Sequence, residues 1–423
     1  MGKQNDDNIK GWFTTETGKH IPIREGESKA DALKRALGSK GESKPQPKKT
    51  ESKPKESKPA TESKPKKNEV VEKNESVKQH QISKAEEEAK RLNEEQRYQD
   101  ALKKGNGVTV GKDGNLYFKG EKVEDLSTSD ASEGDSLSEH LDKDGKLTEE
   151  RKKVHAQIIQ DIIGEARPYA PGQQKKALFT GGGGAAGKGK LSARDEEKGI
   201  NGVKEYYSSD DKPVVIDPDD IKKRLSKADG TKPEDYDAAH YHEESSAVAK
   251  QIYGTLVKHG YPVMYDGTST SLGSTIKRLE QAHKSGYKTE MCFIVSDEPT
   301  VRENSIQRFI RGEKVSEDSD ERIHRLVPPK TLYGAHGRAS DAVEALQDRT
   351  DSFTLIDNSG NKMKVIGKQK GRKKLTVTDQ KAYDAMRSNS ANFENKRLDN
   401  EYIEEYNKEA QERLAEHKRK GGK

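Results

Sequence analysis

The 423 residues are 36% charged and 29% hydrophobic, with aromatics at 5%, so the full length cannot all be packed core. Lys and Arg total 79 against 74 Asp and Glu, and so near a balance argues against a nucleic-acid partner. The single cysteine, Cys292, excludes a disulfide within the chain and makes the cytoplasm the expected compartment. No run approaches the ~18 apolar residues of a membrane span, and the first residues lack the apolar stretch of a secretory signal.

Taken in order, the chain first shows Trp12 and Phe13, a Thr17-Gly18 turn, then Ile21-Pro22-Ile23, the pattern of a small hairpin. Residues 28–37 read as a short helix. A module of this size is marginal alone, so it is either a docking element or an isolated weak hairpin. From 39 to 80 the tetrapeptide Glu-Ser-Lys-Pro recurs at Glu42, Glu51, Glu56 and Glu62. Such a repeat buries too little to offset its ordering entropy and is expected to be a disordered, semi-extended linker. Residues 83–104 form a charged helix, and Asp113-Gly114 joins two apolar triplets as a second hairpin. Asp142-Lys143-Asp144-Gly145 has the first ligand spacing of a calcium loop but lacks the later ones, so it is expected to be a turn.

From 148 onward the pattern changes. Val154, Ile158, Ile159, Ile162 and Ile163 recur at helical spacing over 148–166. Strands are then expected at 177–180, 213–216, 262–265, 290–295, 353–356 and 363–366. Helices fall between them at 244–259, 274–285 and 300–311. This alternation predicts an α/β fold, a parallel sheet flanked by helices, with ligands at the carboxyl ends of its strands. The tail carries helices at 378–387 and 393–417, the second with a stripe of Leu398, Tyr402, Tyr406 and Ala410. The expected division is 1–38, a hairpin and helix module; 39–80, linker; 81–140, charged helix, hairpin and polar linker; 141–367, the α/β domain; and 368–423, a helical tail.

The chemistry concentrates after the first of these strands. Phe179-Thr180-Gly181-Gly182-Gly183-Gly184-Ala185-Ala186-Gly187-Lys188 contains the G-x-x-x-x-G-K spacing of a phosphate-binding loop. Glycines let backbone N–H groups converge on phosphate oxygens, and the following helix adds its positive end. The expected phosphate cradle is Gly182, Gly183, Gly184, Ala185, Ala186, Gly187, Lys188 and Gly189. Gly189 stands where a Ser or Thr would ligate magnesium, so Asp217 and Asp266, at two later strand ends, are the candidate metal ligands. Asp219, just past a strand end, is the candidate to accept a proton from an acceptor hydroxyl, and Arg308, Arg311, Arg322 and Arg325 are the candidates to clamp a moving phosphoryl group.

These pieces, with His242-Glu243-Glu244-Ser245-Ser246 opening a helix, Gly260-Tyr261-Pro262-Val263-Met264-Tyr265-Asp266-Gly267-Thr268, and Arg325-Leu326-Val327-Pro328-Pro329-Lys330, resemble the zeta toxin family of P-loop small-molecule kinases. The resemblance spans roughly 147–367. It implies ATP and Mg2+ as cofactors, and γ-phosphate transfer to a hydroxyl of a nucleotide sugar such as UDP-N-acetylglucosamine. Lys188 would bind the β- and γ-phosphates and Asp219 would act as base. Thr268 and Asp217 would meet the acceptor, and Arg308 and Arg325 would stabilise the transferring group. It also implies a proteinaceous antitoxin and a bacterial cytoplasm. The long N-terminal arm leaves open an alternative, a nucleotide-binding module of weak catalytic power in a phage structural or virion-associated protein.

Overall fold

A computed structural model describes residues 9–14, 20–24, 107–192, 212–314, 321–396 and 398–421. Contacts divide the chain into two units, Met1–Gln99 and Asp100–Lys423. In the first, β1 (Ile9–Thr14) and β2 (His20–Arg24) pair antiparallel with Trp12 opposite Pro22 and Phe13 opposite Ile21, the expected hairpin. The helix read at 28–37, the Glu-Ser-Lys-Pro linker and the charged helix at 83–104 lie outside the described residues.

The second unit opens with a small sheet of β3 (Val108–Val110), β4 (Leu116–Phe118) and β5 (Glu121–Lys122), turning at Asp113-Gly114 as expected. A single helical turn, α1 (Ser136–Glu139), follows. The Asp142 carboxylate accepts the N–H groups of Asp144 and Lys146 at 2.8 and 2.9 Å, so this segment is a turn and not a calcium cage. It leads into α2 (Glu149–Ile163). Thr148 caps that helix by accepting the Arg151 N–H, Glu149 and Glu150 sit in its first turn, and Gly164 at φ 51° ends it.

Five parallel strands then alternate with helices. β6 (Lys176–Gly181) runs through the glycine loop into α3 (Gly189–Ser192). β7 (Val214–Ile216), α4 (Pro218–Ala228), α5 (His242–Lys258) and β8 (Val263–Tyr265) come next. They are followed by α6 (Leu272–Lys284), β9 (Lys288–Val295) and α7 (Glu298–Arg311). A two-rung hairpin of β10 (Glu313–Lys314) and β11 (Arg322–Ile323) precedes α8 (Pro329–Gly337) and α9 (Ala339–Leu346). β12 (Ser352–Asp357), β13 (Lys364–Lys370) and β14 (Thr376–Val377) complete the sheet, and α10 (Gln380–Glu394) and α11 (Asn400–Arg419) end the described chain.

The seven strands lie in the order β14-β13-β12-β9-β6-β8-β7. β6 is flanked in parallel by β8 and β9. The chain therefore leaves β6 toward one edge and later returns to its other side, which makes the carboxyl end of β6 the switch point of the sheet. The sheet is mostly parallel, as expected; at its edge β13 pairs antiparallel with β12 and β14 antiparallel with β13, because the short connections after β12 leave no room for a crossover helix.

Burial alternates along the central strands. Ala177 and Phe179 join the larger core on one face, while Leu178, Met264, Cys292 and Ile294 pack on the other. Both faces are covered, which explains why these strands read as continuous apolar runs. Burial pushes the Cys292 thiol up to about 12, so it stays protonated as a core residue. The tail differs from its expected bounds. α10 continues to Glu394, and the break falls before Asn400, where Asp399 caps α11 by accepting the Tyr402 N–H. Of the expected stripe, Tyr406 and Ala410, joined by Leu414, bury against Ile306, Phe309 and Ile310 of α7, while Leu398 packs with Val301 and Phe393 and Tyr402 touches both groups. Among the described residues, no helix is long and apolar enough to cross a membrane.

A buried polar network ties α2 to α5. The fully buried Glu244 carboxylate accepts from Arg151 Nε at 2.6 Å and Nη2 at 2.7 Å, contacts His155 Nε2 at 2.7 Å, and takes the Ser136 hydroxyl. Arg151 also grips Asp229 after α4. One guanidinium thus joins segments from 136, 151, 229 and 244. Burial acts against the Glu244 charge, but Arg151 and His155 outweigh it and hold the carboxyl well below its usual range.

Candidate active site

The loop between β6 and α3 is shaped by two glycines and three outside side chains. Gly182 has φ 111° and Gly187 φ 102°, a region that favours glycine. Any β-carbon at Gly182 would lie 2.0 Å from the Ile294 carbonyl oxygen, and one at Gly183 would lie 2.4 Å from the His336 ring. Ala185 also adopts a left-handed backbone, φ 59°. His336 Nε2 lies 2.8 Å from the Gly184 carbonyl oxygen, Asn304 donates to that of Ala185 at 3.1 Å, and Asn358 to that of Ala186 at 2.9 Å. A trans peptide sets each N–H opposite the preceding carbonyl. With those three carbonyls held by side chains from outside the loop, the N–H groups of Ala185, Ala186 and Gly187 lie on the opposite side of their peptides, that of Ala186 bonded to the Gly183 carbonyl at 3.4 Å. Consecutive N–H groups so placed can cradle an anion.

Lys188 Nζ reaches back to the carbonyls of Gly182 and Gly183 at 2.9 and 3.1 Å, which holds the ammonium over the nest. Burial pushes that ammonium down, while Asp266 and Asp219 act to keep it charged. Gly189 is exposed and a side chain there would meet open space.

Three carboxylates from neighbouring strand ends face this lysine. Asp217 ends β7 and caps α4, accepting the Asp219 N–H at 2.9 Å. Asp266 follows β8 and accepts the Thr180 hydroxyl at 2.5 Å. Burial, then the charges of Asp266 and Asp219, raise the Asp217 carboxyl from 3.8 to about 6. Asp219 goes the opposite way. Burial would raise it, but Lys222 at 2.9 Å, Arg325 at 3.6 Å and Arg308 hold it well below the usual carboxylate range. Crowded carboxylates of this kind suit a divalent cation, so Asp217 and Asp266 fit the magnesium role. Among the described residues no cluster of three or more ligating side chains forms, so such an ion would rely on water or phosphate oxygens for its remaining ligands.

Of the residues expected from sequence, Lys188, Asp217, Asp219, Asp266 and Arg325 gather at the carboxyl ends of β6, β7 and β8. Arg308 lies close enough to act on Asp219 and Lys188 electrostatically, yet its guanidinium is paired with Glu313, which also holds Lys223 at 2.7 Å. Thr268 contributes its carbonyl to the Gly182 N–H at 2.8 Å, and its hydroxyl pairs with that of Thr270 at 3.0 Å. Glu313, Thr270, His336, Asn304 and Asn358 were not foreseen. Asn304 had a signal, since it stands four residues before Arg308 and so on the same helix face. The others depend on which segments the fold brings together.

A nest at the sheet's switch point, a lysine over it, carboxylates at adjacent strand ends and arginines from a later helix and hairpin define a P-loop kinase-type nucleotide fold. Residues 160–370 match the family model described as Zeta toxin, and this part of the chain belongs to that family. Three solved structures are among those similar to the chain in part. The AvrRxo1-ORF1:-ORF2 complex with ATP is 17% identical, with 58% of this chain and 74% of that chain covered and a TM-score of 0.44. The native AvrRxo1-ORF1:-ORF2 complex, also 17% identical, covers 62% and 80% at 0.46. The PezAT toxin-antitoxin system of Streptococcus pneumoniae is 13% identical and covers 63% and 94% at 0.39. No curated protein matches the chain in sequence.

Proposed function

We propose that the domain at 141–367 is an ATP-dependent phosphotransferase that moves the γ-phosphate to a hydroxyl of a nucleotide sugar such as UDP-N-acetylglucosamine. The observation that carries this reading is Asp219. It follows the end of β7 at the mouth of the glycine loop, with Lys222 at 2.9 Å and Arg325 at 3.6 Å, and Lys188 is close enough to feel its charge. An anionic oxygen next to a phosphate cradle is what an acceptor hydroxyl needs to lose its proton during transfer.

In this reading the loop amides and Lys188 bind the β- and γ-phosphates, and Thr268 orients the acceptor. Asp219 Oδ takes the acceptor's proton, and Arg325 and Arg308 offset charge on the moving group. Asp217 and Asp266 would hold magnesium, whose charge would offset that of the phosphates. Family membership makes a proteinaceous antitoxin the natural partner.

The test is product formation from ATP and UDP-N-acetylglucosamine, followed by mass spectrometry, for wild type, Lys188→Ala and Asp219→Asn. Asp219→Asn should lower turnover by about 10²–10⁴-fold, and Lys188→Ala should abolish ATP binding. Variants as active as wild type refute the assignment. The exposed Gly189, which brings no hydroxyl to the loop, supports a second reading, a nucleotide-binding module of weak catalysis. ATP binding without product across a panel of UDP-sugars and nucleosides would favour it.

A further inference from the structure

The zeta toxin match stops at residue 370, yet α10 and α11 pack directly behind the parts that shape the phosphate nest. Phe393 of α10 stacks on the His336 ring, with centroids 4.8 Å apart and planes 29° apart. His336 in turn holds the Gly184 carbonyl and backs Gly183. The approach of the helices is close, since a β-carbon at Gly337 would meet the Glu394 backbone at 3.1 Å. The Phe393 ring is therefore the back wall of the side chain that is itself the back wall of the loop.

α11 does the same for α7, which carries both Asn304 and Arg308. Tyr406 donates its hydroxyl to Ser305 at 2.8 Å from within the apolar seam. Arg413 forks onto Glu303 at 2.7 and 2.8 Å, and Arg302 pairs with Glu409 at 2.5 Å. At the start of α7, Glu298 accepts the Tyr333 hydroxyl at 2.7 Å, and the Tyr402 hydroxyl lies 2.6 Å from that of Tyr333. These contacts lie on the sides of α7 around Ser305, leaving Asn304 and Arg308 turned to the loop and its neighbours.

We propose that the two C-terminal helices are a brace for the phosphate site, with Phe393 and Tyr406 as positioning residues. Phe393 acts through His336 on the Gly183–Gly184 segment, and Tyr406 acts through Ser305 on the helix that presents Asn304 and Arg308. The consequence for ATP rests on the proposed phosphotransfer reading; the consequence for the loop itself does not.

The test uses the full chain and two readouts. Hydrogen–deuterium exchange should rise about fivefold in peptides covering residues 181–189 of Phe393→Ala. Peptides covering β7 and β8, remote from the brace, should stay at wild-type exchange. Phe393→Leu, which keeps bulk at the ring, should restore most of the protection. Tyr406→Phe should raise exchange in 300–311 alone. Arg413→Ala, which removes only a partly exposed ion pair, serves if Phe393→Ala does not fold, and should also raise exchange in 300–311. Wild-type exchange in the loop, or an equal rise in the β7 and β8 peptides, overturns the brace. ATP titration of the same proteins should show about fivefold weaker binding for Phe393→Ala. If wild type binds no ATP, the phosphotransfer reading falls, and the exchange result decides the brace by itself.

Discussion

Glu244→Gln removes the charge that organises the buried network while keeping the shape of the side chain. In the folded chain Glu244 accepts two guanidinium contacts from Arg151, one from His155 and one from Ser136. The amide can accept at one oxygen only, and its NH2 would face the Arg151 guanidinium. Removing one partner of a buried pair costs about 3–5 kcal/mol. Asp229 remains to hold Arg151, which places this case at the lower end, about 3 kcal/mol. For a domain of this size 1 kcal/mol moves the midpoint by roughly 2–4 °C, so a loss of roughly 6–12 °C is expected. Urea unfolding at pH 7 followed by tyrosine fluorescence, with a calorimetric scan, measures it. The pH dependence is a second check. Glu244 has a depressed folded value, so its contribution is present above its ordinary 4.5 and is lost as pH falls below that. The variant should therefore lose stability less steeply in acid than wild type. A variant within 1 kcal/mol of wild type at pH 7, or one with an unchanged acid limb, would refute the assignment of this network as a joint of the fold.

Gly182→Ala must enter a left-handed backbone and crowd the Ile294 carbonyl; the expected cost is about 2–4 kcal/mol, with ATP binding lost in a titration of the folded fraction. Glu313→Gln loosens the pairing of Arg308, and turnover should fall about tenfold; the weakened charge-assisted hydrogen bond, about 1.5–3 kcal/mol, should also lower the melting midpoint by roughly 3–12 °C. Equal turnover would show that Arg308 needs no such orientation. His336 is held down to about 4 by burial, so it stays neutral as the unfolded chain takes up a proton. Its contribution is full above 6.5 and is lost as pH falls from 6.5 toward 4. His336→Gln should flatten wild type's loss of stability across that window, read by urea midpoints at several pH values.

The sequence reveals most about features that local chemistry decides. The G-x-x-x-x-G-K spacing reports two backbone positions that tolerate no side chain, and Gly182 and Gly187 prove to be those positions. Apolar runs of four to eight residues marked the central strands because both sheet faces are covered. Asp217, Asp219 and Asp266 were readable because strand ends in parallel sheets face one way. What stayed hidden depends on tertiary neighbours. His336 and Asn358 are isolated polar residues with no periodicity, and only the crossing of α8 and β12 behind the loop gives them their carbonyl partners. The antiparallel direction of β13 was not readable, because a short apolar run carries no sign of its direction. Glu244 was noticed as part of a motif, but its partners at Arg151, Asp229 and Ser136 lie far along the chain, and its role in the fold follows from them.

The placement of β6 in the middle of the sheet has a consequence for synthesis. Asn358 secures Ala186 across 172 residues. At about 5–20 residues per second, a ribosome needs roughly 10–35 s to travel from the loop to that asparagine. Throughout that interval the glycine segment exists as polypeptide without its outer supports, and β6 waits first for β8 and then for β9. A prematurely terminated or still-tethered chain therefore carries the complete motif without the assembled cradle. A partial product that contains the signature would be inert toward nucleotide until the far side of the sheet has emerged.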